Sequence, residues 1–247
     1  MTISDLPPWA SGPAEILKHG LDLLRKDSDA NRRLAMISID NSVELIIKTY
    51  LGLPRRVNGL KISRAEYQDF AESFPKLLDA LEKHGSSKIG TLDLGEIEWY
   101  HRLRNQLYHQ GNGLTVERVK VEVYGQLAAA LFESLFGVKP PTPTDDAYYL
   151  LAEFINAWSG FERAADNLSS IYQIDENTDL RTTLGYATEL SRNGYLSKPE
   201  YLEIKKLWTI RNQVVHGDLY FRELLTSEMV DRLKQITSSV QNRIDNK

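Results

Sequence analysis

Two hexapeptides of this 247-residue chain match each other, and this internal repeat constrains the fold more than any other feature. Residues 104–109 read Arg-Asn-Gln-Leu-Tyr-His and residues 211–216 read Arg-Asn-Gln-Val-Val-His, so four of six positions are identical. A glycine follows closely in both copies, Gly111 in the first and Gly217 in the second. Each hexapeptide ends a predicted helix that is followed by one further predicted helix. The repeat therefore predicts an internal duplication, with one motif in each half.

A proline-rich segment separates the two halves. Pro140, Pro141 and Pro143 fall within four residues, and such a run cannot continue a helix because each proline lacks a backbone donor and restricts its predecessor. We predict an N-terminal domain over residues 1–137, a linker over 138–145 and a C-terminal domain over 146–247. Both domains have an ordinary size for independent folding.

Apolar residues recur at helical spacing in both halves, and alternating strand patterns are absent. Ser63 with Glu66 and Ser197 with Glu200 have the spacing of capping boxes that open helices. The fold class is therefore predicted to be all-α, with two helical bundles in tandem. The predicted helices cover residues 13–26, 30–51, 63–84 (ended by Gly85), 94–109 and a last helix capped by Thr115 and reaching Phe136, then 146–171, 179–193, 197–216 and 227–243.

The composition limits the kinds of partner. The formal net charge is −4, so the chain lacks the general basic surplus of proteins that coat nucleic acid, and any such contact requires a local basic site. The chain has no cysteine, which excludes disulfides and thiolate metal ligands. Neither a signal peptide nor a membrane-spanning apolar run is recognisable. We expect a cytoplasmic protein without membrane contact, cofactor or metal.

The two hexapeptides carry residue types suited to phosphodiester chemistry. On a helix, the asparagine and the histidine of each copy lie four residues apart and share one face. A histidine moves protons near neutral pH, and an arginine binds phosphate and stabilises developing negative charge. The alternative is structural, with the arginine and asparagine bracing the following loop and the histidine capping the helix. The predicted catalytic residues are Arg104, Asn105 and His109, with Arg211, Asn212 and His216.

Further residues near the motifs are weaker candidates. Three cations provide tentative RNA contacts, although a solvated helix face is an equally good interpretation: Arg102, Lys205 and Lys206. Four aromatic residues offer base stacking, but core packing is favoured because it is more common at helical spacing: Trp99, Tyr100, Tyr108 and Trp208. Three polar residues interrupt an apolar helix and either line the site or, as we favour, form a polar helix face: Asp40, Asn41 and Glu44.

At these hexapeptides the sequence resembles the HEPN superfamily. Its hallmark is R-x4-6-H near the end of one helix of a four- or five-helix bundle, often with asparagine directly after the arginine. Residues 33–45 also resemble an early helix of bacterial members. The resemblance implies two tandem HEPN-like bundles, one in each predicted domain.

The resemblance also implies an activity. Many members are metal-independent endoribonucleases of toxin–antitoxin, abortive-infection and other antiviral defence systems, in which two HEPN units face each other and form one composite site. The ribose 2′-OH attacks the adjacent phosphate and leaves a 2′,3′-cyclic phosphate. One toxin subfamily carries tyrosine two residues after the histidine, where this chain has Gly111 and Asp218. That variant is not matched.

Because this chain carries two motifs, we expect His109 and His216 to lie across one shared cleft within a single chain. The expected partners are an RNA substrate, an antitoxin or another defence-operon protein, and a second copy of the chain in a homodimer. Two alternatives stay open at this point. In the first, the protein is a non-catalytic module that binds RNA, a nucleotide or a partner protein. In the second, it is a structural subunit of a defence complex.

Overall fold

The computed structural model describes residues 3–90, 92–109, 115–141, 146–171, 183–216 and 224–245. These residues lie in helices joined by short connections and none of them lies in a strand, which confirms the all-α prediction. In the same part of the chain, no helix combines the length and the apolar character needed to cross a membrane. The chain divides into two compact units, Met1–Thr144 (unit 1) and Asp145–Lys247 (unit 2), and the division falls within the segment predicted as a linker.

Unit 1 is built around α2, which contacts α1, α4, α5, α6 and α7. Its buried residues recur at helical spacing and cover one broad face of the helix, which packs against the other helices. After a short 3-10 turn (Ile3–Asp5), the helices of unit 1 are α1 (Pro8–Arg25), α2 (Asp29–Gly52), α3 (Arg55–Asn58), α4 (Arg64–Ala71), α5 (Phe74–Ile89), α6 (Leu94–His109) and α7 (Arg118–Phe136).

The α1–α2 hairpin fixes the position of α2. Gly20 allows the two helices to approach closely, since a Cβ there would lie 2.9 Å from Cγ1 of Ile39 and 3.2 Å from the carbonyl oxygen of Ala35. Ser42 on α2 donates a buried hydrogen bond of 2.8 Å to the carbonyl of Pro13 on α1. This packing fixes the position of the middle of α2, which carries Asp40 and Asn41, relative to α1.

Unit 2 contains α8 (Asp146–Ile171), α9 (Thr183–Arg192), α10 (Lys198–Val215) and α11 (Ser227–Asp245). The long helix α8 packs against α9 and α11, and α10 contacts the same two helices. Phe154, Trp158 and Phe161 on α8 form the aromatic part of its core. The predicted capping box at the start of α10 is confirmed, since Ser197 and Glu200 bond each other's backbone N–H groups.

Two predictions in the middle of unit 1 are wrong. The single helix predicted over residues 63–84 is two helices, because α4 ends at Ala71 and α5 begins at Phe74. Pro75 lies in the first turn of α5, where a missing N–H costs nothing, so the proline marks a helix start. Gly85 lies inside α5 instead of ending it, and Gly90, at φ 58°, follows the last helical residue.

Helix starts account for the other differences. α1 begins at Pro8, five residues before the predicted start, with proline again in the first turn. The N-cap of α7 is Glu117 and not Thr115, and its side chain makes no capping hydrogen bond. At Ser63 the hydroxyl accepts from the backbone of Glu66, while the Glu66 carboxylate bonds Lys83 and His84. Residues 179–182 of the predicted helix over 179–193 lie outside the described residues.

Candidate functional site

A buried carboxylate on α2 organises the first motif. Asp40 is 0% exposed. The hydroxyl of Tyr124 on α7 donates a 2.7 Å hydrogen bond to its Oδ1. Nδ1 of His101 on α6 lies 3.1 Å from both carboxylate oxygens. Nε of Arg104, one turn further along α6, lies 3.1 Å from Oδ2. Two helices thus converge on one buried charge, which the arginine balances.

The partners of Asp40 are themselves held in place. An ionised carboxylate only accepts hydrogen bonds, so the pairing with His101 requires the hydrogen on Nδ1. The His101 ring stacks on Phe74 of α5, with centroids 3.8 Å apart and planes 9° apart. Burial, and then the negative charge of Asp40, raise the pKa of the Tyr124 hydroxyl well above its usual range, so this hydroxyl stays protonated as a donor.

Arg104 is held from several sides. Its Nη1 donates to Oδ1 of Asn105 at 2.9 Å, and its Nη2 donates to Oδ1 of Asn41 at 2.8 Å. The guanidinium carbon lies 5.4 Å from the ring centroid of Tyr108, within cation–π range. The Nε–H faces Asp40 without the alignment of a hydrogen bond, so that contact is an ion pair.

The guanidinium keeps capacity for a ligand. A guanidinium has five N–H donors, one on Nε and two on each terminal nitrogen. The contacts of Arg104 direct Nε toward Asp40 and use one donor on each terminal nitrogen, for Asn105 and Asn41. One N–H on each terminal nitrogen thus has no partner among these contacts. These two donors on one planar guanidinium are the kind of group by which arginine binds phosphate.

His109, the predicted catalytic histidine of the first motif, is the last residue of α6. Its side chain lies outside the described residues, as does the whole of residues 110–114, which include Gly111. The prediction that His109 shares a pocket with Arg104 therefore stays a prediction.

The second motif repeats the local part of this arrangement. Nη1 of Arg211 donates to Oδ1 of Asn212 at 3.4 Å, the same bond that joins Arg104 to Asn105. His216 is the C-cap of α10, and its backbone N–H donates to the carbonyl of Asn212 at 2.9 Å. The bond from arginine to the next asparagine is therefore a property of the hexapeptide itself. Gly217 and Asp218 lie outside the described residues.

The three tentative RNA-binding cations differ in their surroundings. Nη2 of Arg102 lies 2.5 Å from Glu98, one turn earlier on α6. Nζ of Lys206 lies 4.0 Å from Glu203 on α10. Lys205 is exposed on the same helix. Two of the three cations thus have an acidic neighbour on their own helix, which reduces the local positive potential.

The four aromatic candidates divide between core and surface. Tyr100 is fully buried and stacks on Tyr124 with centroids 4.7 Å apart, so it belongs to the core. Trp99 is half-buried, with its ring nearly perpendicular to that of Tyr100, and Trp208 is half-buried on α10. Tyr108 is 61% exposed, so of the four it has the geometry of a stacking surface.

The sequence analysis missed the residues that anchor Arg104. The favoured interpretation of Asp40 as part of a polar helix face is wrong, since this carboxylate is buried. Nothing singled out His101 or Tyr124. A usable signal was present for His101, which precedes Arg104 by three residues and therefore lies on the same helix face. No signal in the sequence pointed to Tyr124, 84 residues from its partner.

Among the residues that the structure describes, no group of three or more histidine, aspartate or glutamate side chains is placed to hold a metal ion. Comparisons with protein-family models, with curated proteins and with solved structures found no match.

Proposed function

We propose that this protein is a metal-independent endoribonuclease of the HEPN type, with both hexapeptides contributing to one composite site. The observation that carries the proposal is the state of Arg104. A buried carboxylate, two asparagine amides and an aromatic ring fix its guanidinium, and two N–H donors are left for a ligand. Preorganised donors of this kind stabilise charge that develops in a transition state, because they need no rearrangement when the reaction occurs.

The proposed reaction is an internal transesterification. One motif histidine accepts the proton of the ribose 2′-OH, and the 2′ oxygen forms a bond to the adjacent phosphorus. The bond from phosphorus to the 5′ oxygen breaks, and the other histidine gives that oxygen a proton. Arg104 and Arg211 bind the non-bridging phosphate oxygens. The products are a 2′,3′-cyclic phosphate and a 5′-OH, so no water or metal ion enters the balance.

The biological setting that this proposal implies is a toxin–antitoxin, abortive-infection or other antiviral defence system. A free endoribonuclease harms its own cell, so a protein partner that silences it belongs to the proposal. An antitoxin or a defence-operon protein fills that role, and homodimerisation is compatible with it.

The deciding experiment is incubation of the purified protein with RNA in the presence of excess EDTA. We expect cleavage with 2′,3′-cyclic phosphate ends, and we expect the His109→Ala/His216→Ala double variant to lose it while its circular dichroism is unchanged. The matched control is His19→Ala/His84→Ala, which removes two histidines from outside the motifs. Equal cleavage by all three proteins, or a strict need for Mg²⁺, refutes the proposal.

One observation favours a second function, that of a non-catalytic RNA- or nucleotide-binding module. The same contacts that orient Arg104 also brace α6 against α2, and a motif that has lost catalysis would keep them for stability. Retention of RNA without any cleaved product by the intact protein, under every condition in which RNA binds, identifies this alternative.

A further inference from the structure

A basic cleft lies at the C-terminal end of α2 in unit 1. It has a volume of about 770 Å³, within the range of about 300–1,000 Å³ that ligand sites usually have. Three of its lining side chains are cationic, Arg55, Lys61 and Arg64, and none is acidic. We define the basic cleft by these cations and by its apolar lining, which includes Leu53, Leu60, Ile62 and Tyr67.

The cations of the basic cleft are not neutralised by neighbouring acids. The ion pairs among the described residues include none of the three, and all three side chains are exposed. The nearest acid in sequence is Glu66, whose carboxylate is bonded to Lys83 and His84 on α5. These two bonds hold the pKa of Glu66 below its usual value. The cleft is thus a local positive site on a chain with net charge −4.

The walls of the basic cleft have a defined conformation. Asn58 donates to the carbonyl of Tyr50 at 2.7 Å and accepts from the backbone of Leu60 at 2.9 Å, which fixes the loop after α3. The hydroxyl of Tyr67 donates to the carbonyl of Lys48 at 3.2 Å. Gly52 admits the Tyr67 ring, because a Cβ there would lie 3.1 Å from Cε2. The cations are therefore presented on a fixed frame.

We propose that the basic cleft binds a single-stranded segment of RNA outside the point of cleavage. Single-stranded RNA offers phosphates for a cationic rim and flat bases for an apolar and aromatic wall, and this cleft combines both. The location fits the composite site, on whose proposed function this inference rests. Asn41, which contacts Arg104, and Gly52, which lines the cleft, are 11 residues apart on α2, or roughly 16 Å along the helix axis. An RNA strand held in the cleft thus presents a phosphate a few nucleotides away to Arg104.

The test measures binding of a short fluorescein-labelled single-stranded RNA by anisotropy, in the His109→Ala/His216→Ala background so that the RNA stays intact. The cleft variant carries Arg55→Gln, Lys61→Gln and Arg64→Gln. The control variant carries Arg25→Gln, Lys26→Gln and Lys88→Gln, which removes the same charge from exposed positions elsewhere in unit 1. We expect the cleft variant to bind at least about 10-fold more weakly than the His109→Ala/His216→Ala parent. The negative slope of log affinity against log salt should become less steep by about 2, as the loss of three phosphate contacts requires. The control should stay within about 3-fold, because its cations touch no phosphate.

The outcomes separate this inference from the proposed function. If the cleft variant and the control variant bind RNA with equal affinity, whether or not both are weakened, the cleft is not an RNA site. Cleft-dependent binding of anionic lipid vesicles but not of RNA also overturns it. If the intact protein cleaves RNA and the cleft variant binds RNA normally, the ribonuclease function is supported and the RNA-binding role of the cleft is refuted. If RNA binding depends on the cleft but the intact protein never cleaves RNA, the RNA-binding role of the cleft is supported and the ribonuclease function is refuted.

Discussion

The two hexapeptides share a sequence but lie in different surroundings. A shift of 107 residues superimposes Arg104 on Arg211, and the same shift pairs His101 with Trp208 and Tyr108 with Val215. In unit 1 the position three residues before the arginine thus bonds a buried carboxylate, while in unit 2 an indole occupies it. Tyr108 is exposed in unit 1, whereas Val215, its counterpart in unit 2, is buried.

This difference indicates which contacts of the motif are common to both units. The bond from each arginine to the following asparagine is common to both units, because it depends on neighbouring residues in the hexapeptide alone. The anchoring of Arg104 by Asp40 depends on a different helix, α2, and on the contact of His101 with the same carboxylate. On α8 of unit 2, the buried acid Glu162 accepts a hydrogen bond from the indole of Trp158 on the same helix. We therefore expect the two motifs to be unequal in stability and in their response to mutation.

The largest expected effect concerns the two histidines singly. If both motifs serve one composite site, His109→Ala and His216→Ala should each lower the cleavage rate by about 100- to 10,000-fold, the usual contribution of a positioned acid or base. Full activity in either single variant would show that one motif suffices. Mixing the two variants tests where the site is formed. A site within one chain predicts no recovery, because every chain carries a damaged site, whereas recovery indicates sites formed between chains.

The second expected effect concerns Asp40, the buried acid that pairs with Arg104 in unit 1. Asp40→Asn removes a buried negative charge and leaves the Arg104 guanidinium uncompensated, which should lower the free energy of unfolding by about 3 kcal/mol. The matched control is Asp22→Asn on α1, which breaks an exposed pair with Lys18 and should change stability by less than about 0.5 kcal/mol.

Urea denaturation measures both changes, and hydrogen exchange locates them. We expect lost protection in α2, α6 and α7 with little change in α8 and α10, because Asp40 lies on α2 and its partners lie on α6 and α7. A similar loss of protection in both units would contradict the view that this anchor is local to unit 1.

The helices and the repeated motif could be predicted from the sequence because they depend on local patterns. Helical periodicity, the Ser197 capping box and each hexapeptide are patterns that extend over only a few helical turns. The break at Glu72–Ser73 was missed because the apolar periodicity continues across it. The site around Asp40 was missed for a different reason. Its partners His101 and Tyr124 are 61 and 84 residues away, so only packing shows that a polar residue on α2 is buried.

The third expected effect tests His101 as a positioning residue that acts through Asp40 on Arg104. His101→Ala removes one partner of the carboxylate and should lower kcat/KM by about 10-fold, equal to a loss of about 1.4 kcal/mol. His101→Asn should recover most of the activity, because its amide can still donate to Asp40. The pH profile should keep its shape in both variants. A profile that changes, with no rescue by asparagine, would instead identify His101 as an acid or base.

The smallest expected effect concerns Tyr108, the exposed ring beside Arg104. Tyr108→Val introduces the residue that unit 2 carries at the equivalent position, and it removes a cation–π contact of 5.4 Å. Such contacts contribute about 0.5–1 kcal/mol at exposed sites, so kcat/KM should fall by about 2- to 5-fold as the guanidinium gains freedom. Tyr108→Phe keeps the ring and should behave like the unchanged protein. A loss of 10-fold or more in the valine variant, with normal stability, would show that the ring contacts RNA directly. Equal losses in both variants would assign the effect to the hydroxyl.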